Sequence, residues 1–191
     1  VWQAGGFVNS HAHFDRAYTV TEQNMEDVVY NHLHQKWKYV DDYKSKATEK
    51  DFYHNIQNAL LQQRDMSTTH CLSFIDIDPV VGYKAIYAAV KAKEYAKATG
   101  INFKIACHTL KGVLPSECQV MLADSLERDA FDVIGSLPGA DKGEEDKHIE
   151  HVLFLGKAYN KRVHVHVDQL NTPTEKETEL LDRKTIQAGM E

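Results

Sequence analysis

Short runs of apolar, β-branched residues alternate along this chain with longer stretches in which apolar positions return every three or four residues. A strand covered on both faces reads as a continuous apolar run, while a covering helix shows one apolar stripe, so the alternation predicts βαβ units around a parallel sheet. Strands are predicted at 6–11, 69–76, 102–108, 131–137 and 162–167. The clearest helix is 79–99, where Val81, Ile86, Ala89, Val90 and Ala96 sit near helical spacing and Gly100 ends the pattern. Segments 116–128 and 147–160 read the same way. Thr172-Pro173-Thr174-Glu175 has the spacing of a capping box with proline at the first helical position, so a fifth helix is predicted to begin there. The polar segment 19–64, with Trp37, is too long for a simple βα loop and helix, and is read as a long, partly helical first connection near the mouth of the fold.

Two of the predicted strands carry histidines in alternation. In His11-Ala12-His13 the two imidazoles fall on one face, because residues two apart in a strand point the same way. In Val163-His164-Val165-His166-Val167-Asp168-Gln169 the same rule puts His164, His166 and Asp168 on one face and valines on the other. Neutral imidazoles gathered at strand ends suit a divalent cation, and a polar strand face backed by valines is hard to explain as core packing, since buried imidazoles need partners. For either pair taken alone, ordinary core or surface histidines are the alternative.

Composition narrows the field. The 191 residues, 42% hydrophobic and 26% charged, are those of an ordinary globular domain, and no apolar run approaches the ~20 residues that span a bilayer. The formal charge of −6 is interspersed rather than clustered, which argues against nucleic acid as a partner. No secretory leader pattern opens the chain, and Cys71, Cys107 and Cys118 form no C-x-x-C and read as small buried hydrophobes, so the expected location is the cytoplasm.

Gly6-Phe7-Val8-Asn9-Ser10-His11-Ala12-His13-Phe14-Asp15 resembles the first-strand G-F-V-x-x-H-x-H-x-D signature of the amidohydrolase superfamily, in particular its cytosine deaminase and N-isopropylammelide isopropylaminohydrolase branch. Asp76-Ile77-Asp78, Asn102 onward to Gly112, Phe131-Asp132-Val133-Ile134-Gly135 and Val165-His166-Val167-Asp168-Gln169 resemble the second to fifth strand motifs of that group. The resemblance implies an α/β fold of (β/α)8 TIM-barrel type with only about the first five βα units in residues 1–191, strands six to eight and a flanking β-sandwich being absent. It also implies that His11, His13 and His166, rather than His164, bind a divalent metal, Zn or Fe, and that metal-activated water hydrolyses a C–N bond in a small-molecule substrate.

Departures from that pattern matter as much. The family's proton-shuttling glutamate is replaced by Gln169, which has no titratable proton, so Asp168 is the candidate acid or base, with a helix cap or a solvated carboxylate as its alternative. The second-strand R-x-H of the relatives is replaced by Leu72 and Phe74, and their third-strand glutamine by Leu110, which does not build a cytosine-shaped pocket. Arg16 and His108 are candidate substrate contacts, a surface ion pair and a structural histidine being the respective alternatives. Five strands cannot close a barrel. The expectation is therefore a longer natural protein or a homo-oligomer, the opening Val1-Trp2-Gln3-Ala4-Gly5-Gly6 reading as a cut edge. Against the enzyme stands a truncated, non-catalytic metal-binding or association domain of the same descent.

Overall fold

The computed structural model describes residues 5–190, so Val1-Trp2-Gln3-Ala4 lies outside the described residues. The elements run β1 (Phe7–Ala12), α1 (Met25–Val29), α2 (Leu33–Lys46), α3 (Glu49–Asp65), β2 (Thr68–Asp76), α4 (Lys84–Ala98), β3 (Asn102–His108), α5 (Ser116–Glu127), β4 (Val133–Ser136), a 3-10 turn (Pro138–Asp141), α6 (Glu145–Ala158), β5 (Arg162–Val165) and α7 (Glu177–Gln187). The strand order β1-β2-β3-β4-β5 is that of successive βα units, and the α/β class with five such units holds. By contacts the chain divides into two compact units, Val1–Ile75 with Val80–Lys104, and Asp76–Pro79 with Ile105–Glu191.

In the first unit β1 and β2 pair in parallel, with Phe7 opposite Thr68 and Ala12 opposite Ser73, and two register shifts bend the pairing. Gly6 makes the entry to β1 possible: its φ is +75°, and a Cβ there would lie 2.4 Å from the Thr69 side chain. Helix α3 starts at a capping box in which Thr48 accepts from the Asp51 amide and Asp51 accepts from the Thr48 amide. Its stripe of Phe52, Ile56, Ala59 and Leu60 is buried, each large side chain contributing about 1.5–3 kcal/mol. The alanine-rich buried stripe of α4, with Ile86, lets the two helices approach closely. Lys84 at the start of α4 donates to the carbonyls of Lys44 and Ala47, closing the C-terminal end of α2.

In the second unit β3, β4 and β5 are parallel, with Ala106 opposite Val133 and Val133 opposite Arg162. The Cys107 thiol donates to the Gly135 carbonyl and accepts from its amide, and burial pushes that thiol up to about 12. Cys71 and Cys118 are buried as well, so none of the three is a nucleophile in this fold. Helix α6 buries Ile149, Val152, Leu153 and Leu155. Helix α7 buries no residue and is held to α6 by Lys184, which reaches Asp146 and Glu150.

The segment 19–64 is partly helical as expected, its helical part being α1, α2 and most of α3. Several expected boundaries move, each for a local reason. Helix α4 begins at Lys84, because residues 79–83 form turns through Gly82 at φ +62°. The fifth helix begins at Glu177, not at Thr172. Glu175 spends its carboxylate on the amides of Leu170 and Thr172, so the capping-box sequence closes a separate turn. Strand β5 ends at Val165, although the His166 amide still donates to the Ser136 carbonyl. Among the described residues no helix is long and apolar enough to cross a membrane.

Candidate metal centre and active site

His11 is the penultimate residue of β1 and His13 follows its end. Alternation works as expected: the two rings lie with centroids 5.4 Å apart, edge to face. Both pack on Phe74, at 4.7 and 5.4 Å, and Phe74 is fully buried. Phe74 thus supplies an apolar floor beneath the two imidazoles. Behind them, Phe14 donates its amide to the Ser73 hydroxyl at 2.8 Å, and the backbone carbonyl of buried Asp15 accepts from Asn55 at 3.0 Å. The loop leaving β1 is thereby tied to β2 and α3.

Arg16 lies against one of the candidate ligands. Its Nη2 lies 2.7 Å from His13 Nδ1, and its amide donates to the Asp15 carboxylate at 3.0 Å. Nothing in the sequence signals this contact, because three residues apart in a loop implies no geometry.

In the second unit His108 ends β3 and is buried. Its Nδ1 donates to Asp76 Oδ1 at 2.7 Å, and Asp76 is fully buried at the end of β2. The His108 ring also lies 4.8 Å from that of His166, which in turn stacks on His164 at 6.4 Å. Asp76, part of the second-strand motif, thus helps to hold the His108 ring.

The expected face of His164, His166 and Asp168 ends before its last member. Asp168 adopts φ +51°, which breaks the extended alternation. Its carboxylate accepts from the amides of Glu177 and Thr178 and from the Thr178 hydroxyl, at the first turn of α7. The Thr178 hydroxyl bond, with the α7 amides, holds its pKa below the usual carboxylate range. These are the bonds of a helix cap. Gln169 beside it is exposed.

A second buried pair was not anticipated. His148 in the first turn of α6 donates from Nδ1 to Asp141 at 2.6 Å, and the same carboxylate oxygen accepts from the amides of Val113 and Leu114. Burial pushes Asp141 upward, yet the His148 and amide bonds outweigh it and leave the group below its ordinary value. A spacing of seven residues across a 3-10 turn carries no sequence signature.

No family model matches the chain. An uncharacterized protein of Haemophilus influenzae is 38% identical over 190 residues, 98% of this chain and 68% of that protein. N-isopropylammelide isopropyl amidohydrolase of Pseudomonas sp. (strain ADP) is 25% identical over 96% of this chain and 46% of its own length. Among solved structures, 5-methylcytosine deaminase from Klebsiella pneumoniae liganded with phosphonocytosine superposes with a TM-score of 0.84 at 22% identity, over 97% of this chain. N-isopropylammelide isopropylaminohydrolase from Burkholderia multivorans gives 0.69 at 18%, over 96%. The chain spans 45% and 46% of those two structures, less than half of either.

Proposed function

We propose that the chain is a member of the amidohydrolase superfamily whose strand motifs it resembles, and that it contributes the metal-binding half of a hydrolase that cleaves a C–N bond in an amide, an amidine or an amine-substituted ring. The observation that carries this reading is the pair His11 and His13, side by side at the end of β1 on the Phe74 ring. The third imidazole of the proposed set is His166, just past β5, each ring having one nitrogen to give to a cation. Such a set suits Zn2+ or Fe2+ with a position left open. When bound, the cation supplies Lewis acidity that polarises a substrate carbonyl and eases loss of a proton from water.

The chain's own residues do the rest. Phe74 excludes water from beneath the two imidazoles of β1. Asp76 fixes the orientation of His108, and His108 and Arg16 contact the substrate. Asp168 and Gln169 bound the site after β5; with its carboxylate engaged by α7, Asp168 orders this loop, and a strong base must come from elsewhere in the complete protein. The substrate is a small molecule, the site lies in the cytoplasm, and the complete assembly adds the remaining barrel strands, from further chain or from a second copy.

One observation favours a second reading, a metal-binding domain without catalysis: Gln169 cannot titrate, and Asp168 is committed to capping α7. Metal analysis separates the possibilities. The purified protein is expected to retain about one equivalent of Zn or Fe per chain after dialysis, and His11→Ala, His13→Ala and His166→Ala each to lose it. Retention in all three variants would overturn the ligand assignment. Metal retention without turnover of any amide or amidine in a broad panel would favour the non-catalytic reading.

A further inference from the structure

Among the described residues, six that are not glycine take a left-handed backbone: Tyr18, Ser67, Asp129, Asn160, Asp168 and Asn171. Five are short polar residues of the kind turns use. Tyr18 is the bulky exception, at φ +63°, where a Cβ crowds the carbonyl that follows it. Such a conformation persists only where its surroundings impose it, and here they do. Phe14 donates its amide to the Ser73 hydroxyl of β2, and the Asp15 carbonyl accepts from Asn55 of α3. The Arg16 carbonyl accepts from the Thr19 hydroxyl at 2.9 Å, while the Thr19 carbonyl accepts from Asn24 at 3.0 Å and from the Tyr39 hydroxyl of α2 at 3.1 Å. The turn is anchored on both sides of residue 18.

All this anchoring secures no core packing for the ring, since Tyr18 is 45% exposed. The ring rides instead on the turn that carries Arg16, with its Cα no more than about 7.6 Å from that of Arg16. Arg16 in turn reaches His13, Nη2 to Nδ1, at 2.7 Å. We propose that Tyr18 is a specificity-determining residue, its ring taking a planar apolar group of the substrate that is attached to the carbonyl or carboxylate received by Arg16. A guanidinium has donors only, so it selects an oxygen acceptor, and a phenol ring offers a flat apolar surface to a second flat group. Together they favour an aromatic amide or acid over a small aliphatic one. This role deepens the proposed function and rests on Arg16 contacting the substrate.

Benzoate and acetate share a carboxylate and differ in the planar ring, and each is titrated into the complete protein with binding followed by amide chemical shifts. Wild type is expected to hold benzoate about tenfold tighter than acetate, the size of a ring contact. Tyr18→Phe should keep that preference, Tyr18→Ala should bring benzoate down to the level of acetate, and Arg16→Met should weaken both probes. A preference that survives Tyr18→Ala, or equal binding of the two probes by wild type, overturns the role of Tyr18 and leaves the Arg16 contact standing. Arg16→Met that binds like wild type, or wild type that binds neither probe, overturns the Arg16 contact and the role of Tyr18 with it. The backbone has its own readout: Tyr18→Gly is expected to unfold at a higher temperature than Tyr18→Ala, reversing the usual order, because glycine takes this conformation without crowding. A lower midpoint for the glycine variant would refute the strain, and with it the reason that the ring stands where it does.

Discussion

Asp168 and Glu177 hold each other by reciprocal main-chain bonds: the Asp168 amide donates to Glu177 Oε2 at 2.8 Å, and the Glu177 amide donates to Asp168 Oδ1 at 2.9 Å. The pair closes the loop between β5 and α7 and is the main reason that α7, which buries none of its residues, has a defined start.

Acid should loosen that start. Asp168 is held below the ordinary carboxylate value by the Thr178 hydroxyl and the α7 amides, so its contribution is fully present above about pH 4 and is lost as the pH falls through the depressed folded value. Glu177 acts in the opposite sense, because burial raises it and its ionisation costs stability as the pH rises above about 4.3. Asp168→Asn is expected to cost about 1 kcal/mol at neutral pH, the usual worth of a helix cap, and to remove the acid-side loss. Urea unfolding across acidic pH measures both; an unchanged acid limb in the variant would contradict the assignment.

The Asp76–His108 pair carries a different expectation. Asp76→Leu removes the acceptor of a buried imidazole N–H, and the loss should be about 1–3 kcal/mol. Denaturant midpoints at constant slope give the value, and a change within a few tenths of a kcal/mol would mean that the bond contributes nothing net.

Cytosine is expected to be a poor substrate of the complete, metal-loaded protein. Leu72, Phe74 and Leu110 offer no polar partner to a heterocycle, and a ring buried without its hydrogen bonds binds weakly. Gln169→Glu alone should leave cytosine turnover near background, since it adds a proton carrier without adding recognition. Steady-state assays of both proteins check this, and efficient turnover by wild type would show that the reading of Leu72, Phe74 and Leu110 is mistaken.

Gly112 offers a test of the loop after β3. Its φ is +83°, and a Cβ there would lie 2.1 Å from an Asp141 carboxylate oxygen. Gly112→Ala is therefore expected to destabilise the fold by more than about 1 kcal/mol, through both backbone strain and displacement of Asp141. Thermal unfolding of the variant at an unchanged midpoint would be inconsistent with the packing described.

Much of this fold was legible because its signals are periodic. Alternation placed His11 and His13 together, and apolar runs located the strands to within a few residues. What failed to show was decided by bonds between residues with no fixed spacing. Asp168 left its expected face because the first amides of α7 were available to it, and Glu175, which accepts from the Thr172 amide through Oε2 and from the Leu170 amide through Oε1, closes a turn ahead of the helix rather than opening it. His108 found Asp76 across the sheet, thirty-two residues away, as only the folded strand order allows. The strand motifs carried the resemblance to a family, while the Arg16 contact on His13 is visible only in three dimensions.

Asp141 has a consequence for motion. One carboxylate oxygen terminates bonds from the Val113 and Leu114 amides in the loop after β3 and from His148 in the first turn of α6. Neither segment can lift away without giving up the acceptor that serves the other, which makes them one cooperative opening unit. Hydrogen exchange at Val113 and Leu114 should then keep pace with that of the α6 N-terminus, and a ligand that orders either loop will slow exchange in both.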